Sequence, residues 1–105
     1  MSVDYRAIYG YGFHVSGEEV DALSDEMKDE FIDSIYTYRS DYYYDDIEYF
    51  FGLNLRSAEP GYMFALPAVD NYAHEDFAKM IKEFKTYFPN RDPKEIKHYL
   101  INQVW

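Results

Sequence analysis

The strongest constraint on the fold is an alternating pattern that runs from Val3 to Val15. Every odd position in this run is apolar or aromatic, whereas the even positions are mostly polar or glycine. A period of two over the whole run predicts a β-strand. Gly10 and Gly12 fall on the same face of this strand. There we expect them to allow a bend or a bulge, or to be covered by an aromatic ring from a neighbouring strand.

Helical spacing dominates two later parts of the chain. From Glu18 to Tyr38, apolar residues recur every three or four positions, which predicts a helix in two pieces with Ser24 as the N-cap of the second. Another apolar stripe predicts a helix that Pro89 ends. Its members are Phe77, Met80, Ile81, Phe84 and Phe88.

A further helix is predicted at the end of the chain. Asp92 suits an N-cap, Pro93 suits the first helical position, and Glu95 suits a capping box. The apolar residues that follow predict the buried face of this helix. They are Ile96, Tyr99, Leu100 and Val104.

The middle of the chain is less clear. Residues 41–51 fit a short helix but are aromatic enough for a strand, and we favour the helix. Leu53–Ser57 and Tyr62–Leu66 predict two short strands joined by a turn at Pro60-Gly61. Together the elements predict a single α+β domain over residues 1–105. Its small, mostly antiparallel sheet, made of the N-terminal strand plus a hairpin, is packed by amphipathic helices.

The charge of the chain is confined to one segment. Twelve of the 20 acidic residues and two of the ten basic ones lie between Ser16 and Phe50, so this segment carries the whole net charge of −10. Acids four residues apart repel one another on a helix, and a sequence selected only for stability would mix the signs. The whole chain contains thirteen tyrosines. Tyrosine is favoured at protein interfaces, although it also fills the boundary of a small core.

These features argue against several classes of function. A net charge of −10 opposes direct binding to DNA or RNA. The EF-hand spacing and the second histidine of HExxH are absent, so we expect no metal site and no cofactor. Twelve carboxylates on one segment look like a surface and not a catalytic pair, so we expect no catalytic residues, with a carboxylate-based hydrolase as a minor alternative.

Recognition of a partner protein remains the favoured function. In composition and charge layout the chain resembles the small DNA-mimic inhibitors that phages use against restriction and CRISPR systems. This resemblance implies that the acidic segment occupies a basic nucleic-acid-binding surface of a partner. The alternative is a structural or self-assembling protein, in which homo-oligomers form and the acids only confer solubility.

The expected partner-binding residues combine acids with neighbouring tyrosines. They are Asp21, Asp25, Glu26, Asp29, Glu30, Asp33, Tyr42, Tyr43, Tyr44, Asp45 and Asp46. The chain has no cysteine, and neither a signal peptide nor a membrane span is recognisable, so we expect a cytoplasmic protein with no membrane partner.

Overall fold

A four-stranded antiparallel sheet and three helices make up the described part of the protein. The structure is a computed structural model, and it describes residues 5–40, 47–58 and 74–104. In chain order the elements are β1 (Tyr5–Ser16), α1 (Gly17–Asp21), α2 (Asp25–Asp33), β2 (Thr37–Ser40), β3 (Glu48–Ala58), α3 (His74–Tyr87), one 3-10 turn (Pro93–Glu95) and β4 (Lys97–Val104). The expected α+β fold with an antiparallel sheet is confirmed.

β1 lies in the interior of the sheet, as its alternating pattern suggests. The strand order is β2-β3-β1-β4, and each neighbouring pair is antiparallel. Tyr9 pairs with Arg56 but Gly10 pairs with Asn54, so Leu55 is an extra residue in β3. The register shift therefore falls at the first of the two glycines, where a bulge or bend was expected.

The two faces of the sheet bury different clusters. Phe13, Val15 and Phe51 face the helices, and the rings of Phe13 and Phe84 stack with 3.7 Å between centroids. The opposite face buries Ile8, Phe50 and Ile101, with Tyr38 and Tyr99 packed beside them. Both faces of β1 are thus buried near its middle, because Ile8 occupies an even position of the alternating run.

Glycine is required where β1 and β3 approach each other. Gly12 pairs with Gly52, and a Cβ at Gly12 would meet the carbonyl oxygen of Phe51 and lie 2.5 Å from the Gly52 Cα. A Cβ at Gly10 would lie 2.5 Å from the ring of Phe50, which covers this glycine. The expected cover by an aromatic ring from a neighbouring strand is confirmed. The two positions differ because the obstacle at Gly10 is the far end of a side chain, which can shift through a small change in χ1, whereas the paired backbone at Gly12 cannot move without breaking the sheet.

The acidic segment forms two helices, as expected, but the second ends early. Ser16 caps α1 in a capping box with Glu19, and the Ser24 hydroxyl accepts the Met27 N–H at the start of α2. The predicted continuation of this helix to Tyr38 is wrong. Residue 34 is extended, and the Thr37 hydroxyl donates to the carbonyl of Phe31 at 2.6 Å, which satisfies the end of the helix.

Residues 37–40 instead form the edge strand β2. Tyr38 pairs with Phe50 and packs against it on the face opposite the helices, whereas Ile35 is 81% exposed. The helical spacing of these two residues was therefore coincidental. Pairing with β3 determines the structure of residues 37–40. A local sequence pattern does not show which distant strand a segment will pair with.

The predicted helix over residues 41–51 is wrong where the structure describes it, because residues 48–51 begin β3. Tyr49 and Phe51 pack with the helices and Phe50 packs on the other face, so consecutive aromatics are buried on both sides. The predicted strand over residues 53–57 is confirmed as part of β3. Residues 41–46, the Pro60-Gly61 turn and the predicted strand over residues 62–66 lie outside the described residues.

The helix ending near Pro89 is confirmed as α3, but the predicted last helix is wrong. Asp92 does cap the start, accepting the Lys94 N–H at 2.9 Å, with Pro93 in the first position. Only one 3-10 turn follows, and β4 begins at residue 97. Pairing with the outer edge of β1 from Tyr5 to Gly12 overrides the helix start signal.

Arg91 joins three separate parts of the described fold. It donates to Glu19 of α1 and to Glu95, each at 2.7 Å, and to the carbonyl of His14 in β1 at 3.0 Å. Its guanidinium also lies 5.6 Å from the ring centre of Phe84. Burial opposes the charge of Arg91, but the hydrogen bond that Arg91 donates to Glu95 and the charge of Glu19 outweigh it, so the pKa of Arg91 is raised.

The pKa of Glu19, the carboxylate partner of Arg91, also shifts in the direction that favours the charged form. Burial alone would raise the pKa of Glu19, but the backbone N–H of Ser16 and the Arg91 guanidinium outweigh it, and this pKa falls below its ordinary 4.5. Glu19 therefore stabilises the fold at neutral pH. That contribution is lost as pH falls through the lowered pKa, because protonation then costs less in the unfolded chain than in the folded one.

Gly12→Ala should destabilise the protein by about 3 kcal/mol, whereas Gly10→Ala should cost about 1 kcal/mol. The first Cβ meets paired backbone, whereas the second meets the far end of a side chain that can shift. Urea unfolding of both variants, with unchanged m-values, measures the difference. Equal free energies of unfolding for the two variants would contradict the close approach at Gly12.

Glu19→Gln should destabilise the protein by about 1 kcal/mol at pH 7, because it weakens a partly exposed, charge-assisted contact to Arg91. The difference in unfolding free energy between this variant and the parent should disappear as pH falls below about 4.5, the ordinary pKa of the carboxyl. Glu18→Gln is the matched control, since Glu18 is exposed in the same helix. Unfolding curves between pH 7 and pH 3 test this. A gap that persists at pH 3, or one shared by Glu18→Gln, would count against the Arg91 contact.

Candidate functional site

The outward side of α2 carries five carboxylates. Each residue of an α-helix turns about 100°, so these side chains fill an arc of about 140° and span about 12 Å of the axis. All five residues are exposed. We call this surface the acidic face, and its members are Asp25, Glu26, Asp29, Glu30 and Asp33.

Phe31 fixes the direction in which the acidic face points. It is fully buried, and it lies roughly opposite the middle of the acidic arc on the helix. Its ring contacts Tyr49 and Phe51 of the sheet and also Tyr87 and Phe88 at the end of α3. Because four aromatic neighbours hold this one side chain, α2 cannot rotate and turn its acids inward.

None of the five acids of the acidic face forms an ion pair with a described residue, although the charge of Asp25 acts weakly on Lys28. Lys28, the one base on α2, is bound at 2.7 Å to Asp21 of α1. The hydrogen bond that Lys28 donates to Asp21, followed by the charge of Asp21, raises the pKa of Lys28. The structure therefore gathers five of the expected acids and sets Asp21 apart as a residue that links α1 to α2.

The rest of the expected site lies outside the described residues. Those positions are Tyr42, Tyr43, Tyr44, Asp45 and Asp46. Their proximity to the acidic face stays a prediction.

Two isoleucines beside the acidic face were missed from the sequence. Ile32 is 36% exposed and, on the helix, falls between Lys28 and the acidic arc. Ile35 is 81% exposed just after α2 ends. The exposure of Ile32 could have been predicted, because Ile32 does not share the helical spacing of Met27 and Phe31. The exposure of Ile35 could not have been predicted, because its spacing continues the buried stripe. Ile35 leaves that stripe only because the helix ends at Asp33.

α3 carries three exposed lysines on the same side of the sheet, together with the exposed acids Glu75 and Asp76 of its first turn. Its buried stripe includes Met80 and Phe84, and three lysines lie exposed on the outward side. We call this the basic face, and its members are Lys79, Lys82 and Lys85. None of the three forms an ion pair with the described part of α2.

Two shallow clefts open near the start of β3. The first, of about 330 Å³, is lined by Glu18, Asp21 and Glu48 among others. The second, of about 300 Å³, contains His14 and Glu48, whose Nε2 and Oε2 atoms are 3.4 Å apart with both side chains about half exposed. The Ser16 hydroxyl in the first cleft is engaged in the helix cap with Glu19. These clefts supply carboxylates but no activated nucleophile among the described residues.

Metal ligation and membrane insertion each require a recognisable geometry. Within residues 5–40, 47–58 and 74–104, no three histidine or acidic side chains converge on a metal-sized site. No helix in these ranges is long and apolar enough to cross a membrane.

Comparison with known proteins adds no relative. No family model matches the chain, and neither a curated protein nor a solved structure matches it. The acidic face is therefore the candidate site on its own geometry: a rigid, exposed row of carboxylates with an apolar border.

Proposed function

We propose that this protein is a non-enzymatic binding module that docks its acidic face onto a basic surface of a partner protein. The observation that carries the proposal is the set of five exposed carboxylates on one helical face, none of which forms an ion pair among the described residues. Unpaired like charges four residues apart cost a few tenths of a kcal/mol each. A partner that supplies the missing positive charges accounts for their retention.

The spacing of the acids suits a surface built for nucleic acid. Asp25, Asp29 and Asp33 rise about 6 Å per step along α2, comparable to distances along a phosphate backbone. By occupying such a surface the protein would act as an inhibitor, in the manner of DNA mimics that block restriction or CRISPR enzymes. We expect this action in the cytoplasm.

Affinity and steering come from different groups in this proposal. The carboxylates accelerate encounter and fix the register, whereas desolvated apolar contacts supply most of the binding energy. Ile35, exposed at the end of α2, is positioned to be such a contact. The tyrosines at 42–44 were expected from the sequence to be others.

Self-assembly is the second candidate, and the basic face of α3 favours it. Acidic and basic helices on one molecule can pair between copies through complementary charge. In that case Lys79, Lys82 and Lys85 matter as much as the acids of α2.

The triple substitution Asp25→Asn, Asp29→Asn and Asp33→Asn should weaken partner binding at least about tenfold and reduce its salt dependence. Stability should change by less than about 1 kcal/mol, because lost repulsion and a lost helix-dipole contact offset each other. The measurement begins with capture from lysate at low and high salt. Each identified partner is then purified and titrated against parent and variants, with a DNA or RNA duplex as competitor.

Two controls make this test specific. Neutralising Glu18, Glu75 and Asp76 gives the same change in net charge from exposed acids outside the acidic face, and should leave binding nearly unchanged. Replacing Lys79, Lys82 and Lys85 with Gln should also matter little. Equal losses of partner binding from the two acid sets would show that binding depends on net charge and not on the acidic face. A loss confined to the lysine set would transfer the site to the basic face of α3.

A further inference from the structure

The sheet is strongly coiled, because its two end strands approach each other. β2 and β4 lie at opposite ends of the strand order. In a flat sheet, three strand spacings would separate them by about 14 Å. Cα atoms of these two strands nevertheless come within 8 Å of each other. The sheet coils towards the face opposite the helices, since Tyr38 of β2 and Tyr99 of β4 pack against the same buried cluster there. We call this the concave face.

Phe50 connects the strands across the concave face. Its ring covers Gly10 of β1 and reaches the ring of Tyr99 on β4, with 5.8 Å between the two ring centres. The ring of Tyr38 on β2 also lies 6.0 Å from it. Because Gly10 has no side chain, an aromatic ring of β3 can extend over β1 and contact β4. This contact holds β4 close to the start of β3.

The cleft of about 300 Å³ described above opens between these two strands. Phe50, Tyr99 and Ile101 of the concave face line it. His14 and Glu48 line it as well, and their contact at 3.4 Å places the carboxylate beside the apolar walls. A mainly apolar cleft with a few polar groups, at the open end of a curved sheet, is typical of a small-molecule site.

The charge of the cleft favours a cation as its ligand. Glu48 is the carboxylate of the lining, and no described lysine or arginine lines the cleft. The partly buried ring of Tyr99 adds a π-system, whose face attracts positive charge. The net charge of −10 raises the local concentration of cations and opposes anions.

We propose that this cleft binds a small organic cation, namely an ammonium group carried on an aromatic or branched apolar body. The body packs against the apolar walls, and the ammonium group lies against the carboxylate of Glu48. The two parts of such a ligand match the two parts of the cleft, which neither an inorganic cation nor a neutral hydrocarbon does. This inference does not depend on the proposed function, because the cleft opens on the concave face and the acidic face lies on the helical side of the sheet.

Titration with three matched probes tests the class of ligand. Phenethylammonium, added to the 15N-labelled protein, should cause saturable shifts at the amides of His14, Glu48, Tyr99 and Ile101, with a dissociation constant of about 1 mM. 2-Phenylethanol, which carries a hydroxyl in place of the ammonium group, should bind about threefold more weakly. 3-Phenylpropionate, which carries the opposite charge, should bind more weakly still. Equal affinity for the alcohol, shifts centred on α2, or shifts that do not saturate would overturn the proposal.

Two substitutions in the cleft test the residues that hold the ligand. Glu48→Gln should weaken phenethylammonium binding about threefold, as expected for a partly exposed charge, and should remove the preference over the alcohol. Tyr99→Leu should weaken it about fivefold through the lost π-system. Glu18→Gln is the matched control, since it removes the same charge from an exposed residue that lines only the neighbouring cleft, and it should bind like the parent. Equal losses from Glu48→Gln and Glu18→Gln, or no loss from Glu48→Gln, would overturn the assignment of the ligand to this cleft.

Discussion

Pairing on both edges of β1 is the constraint on which the rest of the fold depends. β1 joins β3 on one side and β4 on the other, and its two faces contribute to both buried clusters. The strands approach closely at Gly12 and Gly52, where any side chain would push the backbones apart. Phe50 can then lie over Gly10, and Phe51 can turn to the opposite face and pack beneath α2 and α3. The orientation of the acidic helix thus follows from contacts that begin at β1.

Sequence patterns predicted elements where the local signal and the long-range partner agree. β1, the break at Ser24 and the end of α3 near Pro89 are of this kind, because alternation, caps and proline act within a few residues. β4 is the contrary case. Asp92 and Pro93 start a helix as expected, yet pairing with β1 takes over at Lys97. The residues on the acidic face were predictable because exposed acids follow from helical spacing, whereas Ile35 depended on where α2 ends.

The acids of the charged segment have different physical roles. Glu19 is structural, since it binds Arg91 and helps to cap α1. Asp21 holds Lys28 and so connects the two short helices. The five acids of the acidic face make no such contacts among the described residues. The acidic segment therefore contains some charges that stabilise the fold and others that are available to bind a partner. The structure distinguishes the two groups, whereas the composition does not.

The pairing of β1 with β4 also determines when the fold can be completed. Arg91 reaches Glu19 across 72 positions of sequence and the His14 carbonyl across 77, and β4 comes still later in the chain. Contacts of such long range make folding slow relative to helical proteins. During synthesis the outer edge of β1 stays unpaired until β4 leaves the ribosome. A nascent chain of this protein therefore carries an open, aromatic-rich strand edge until β4 has emerged, which is the kind of surface that chaperones engage.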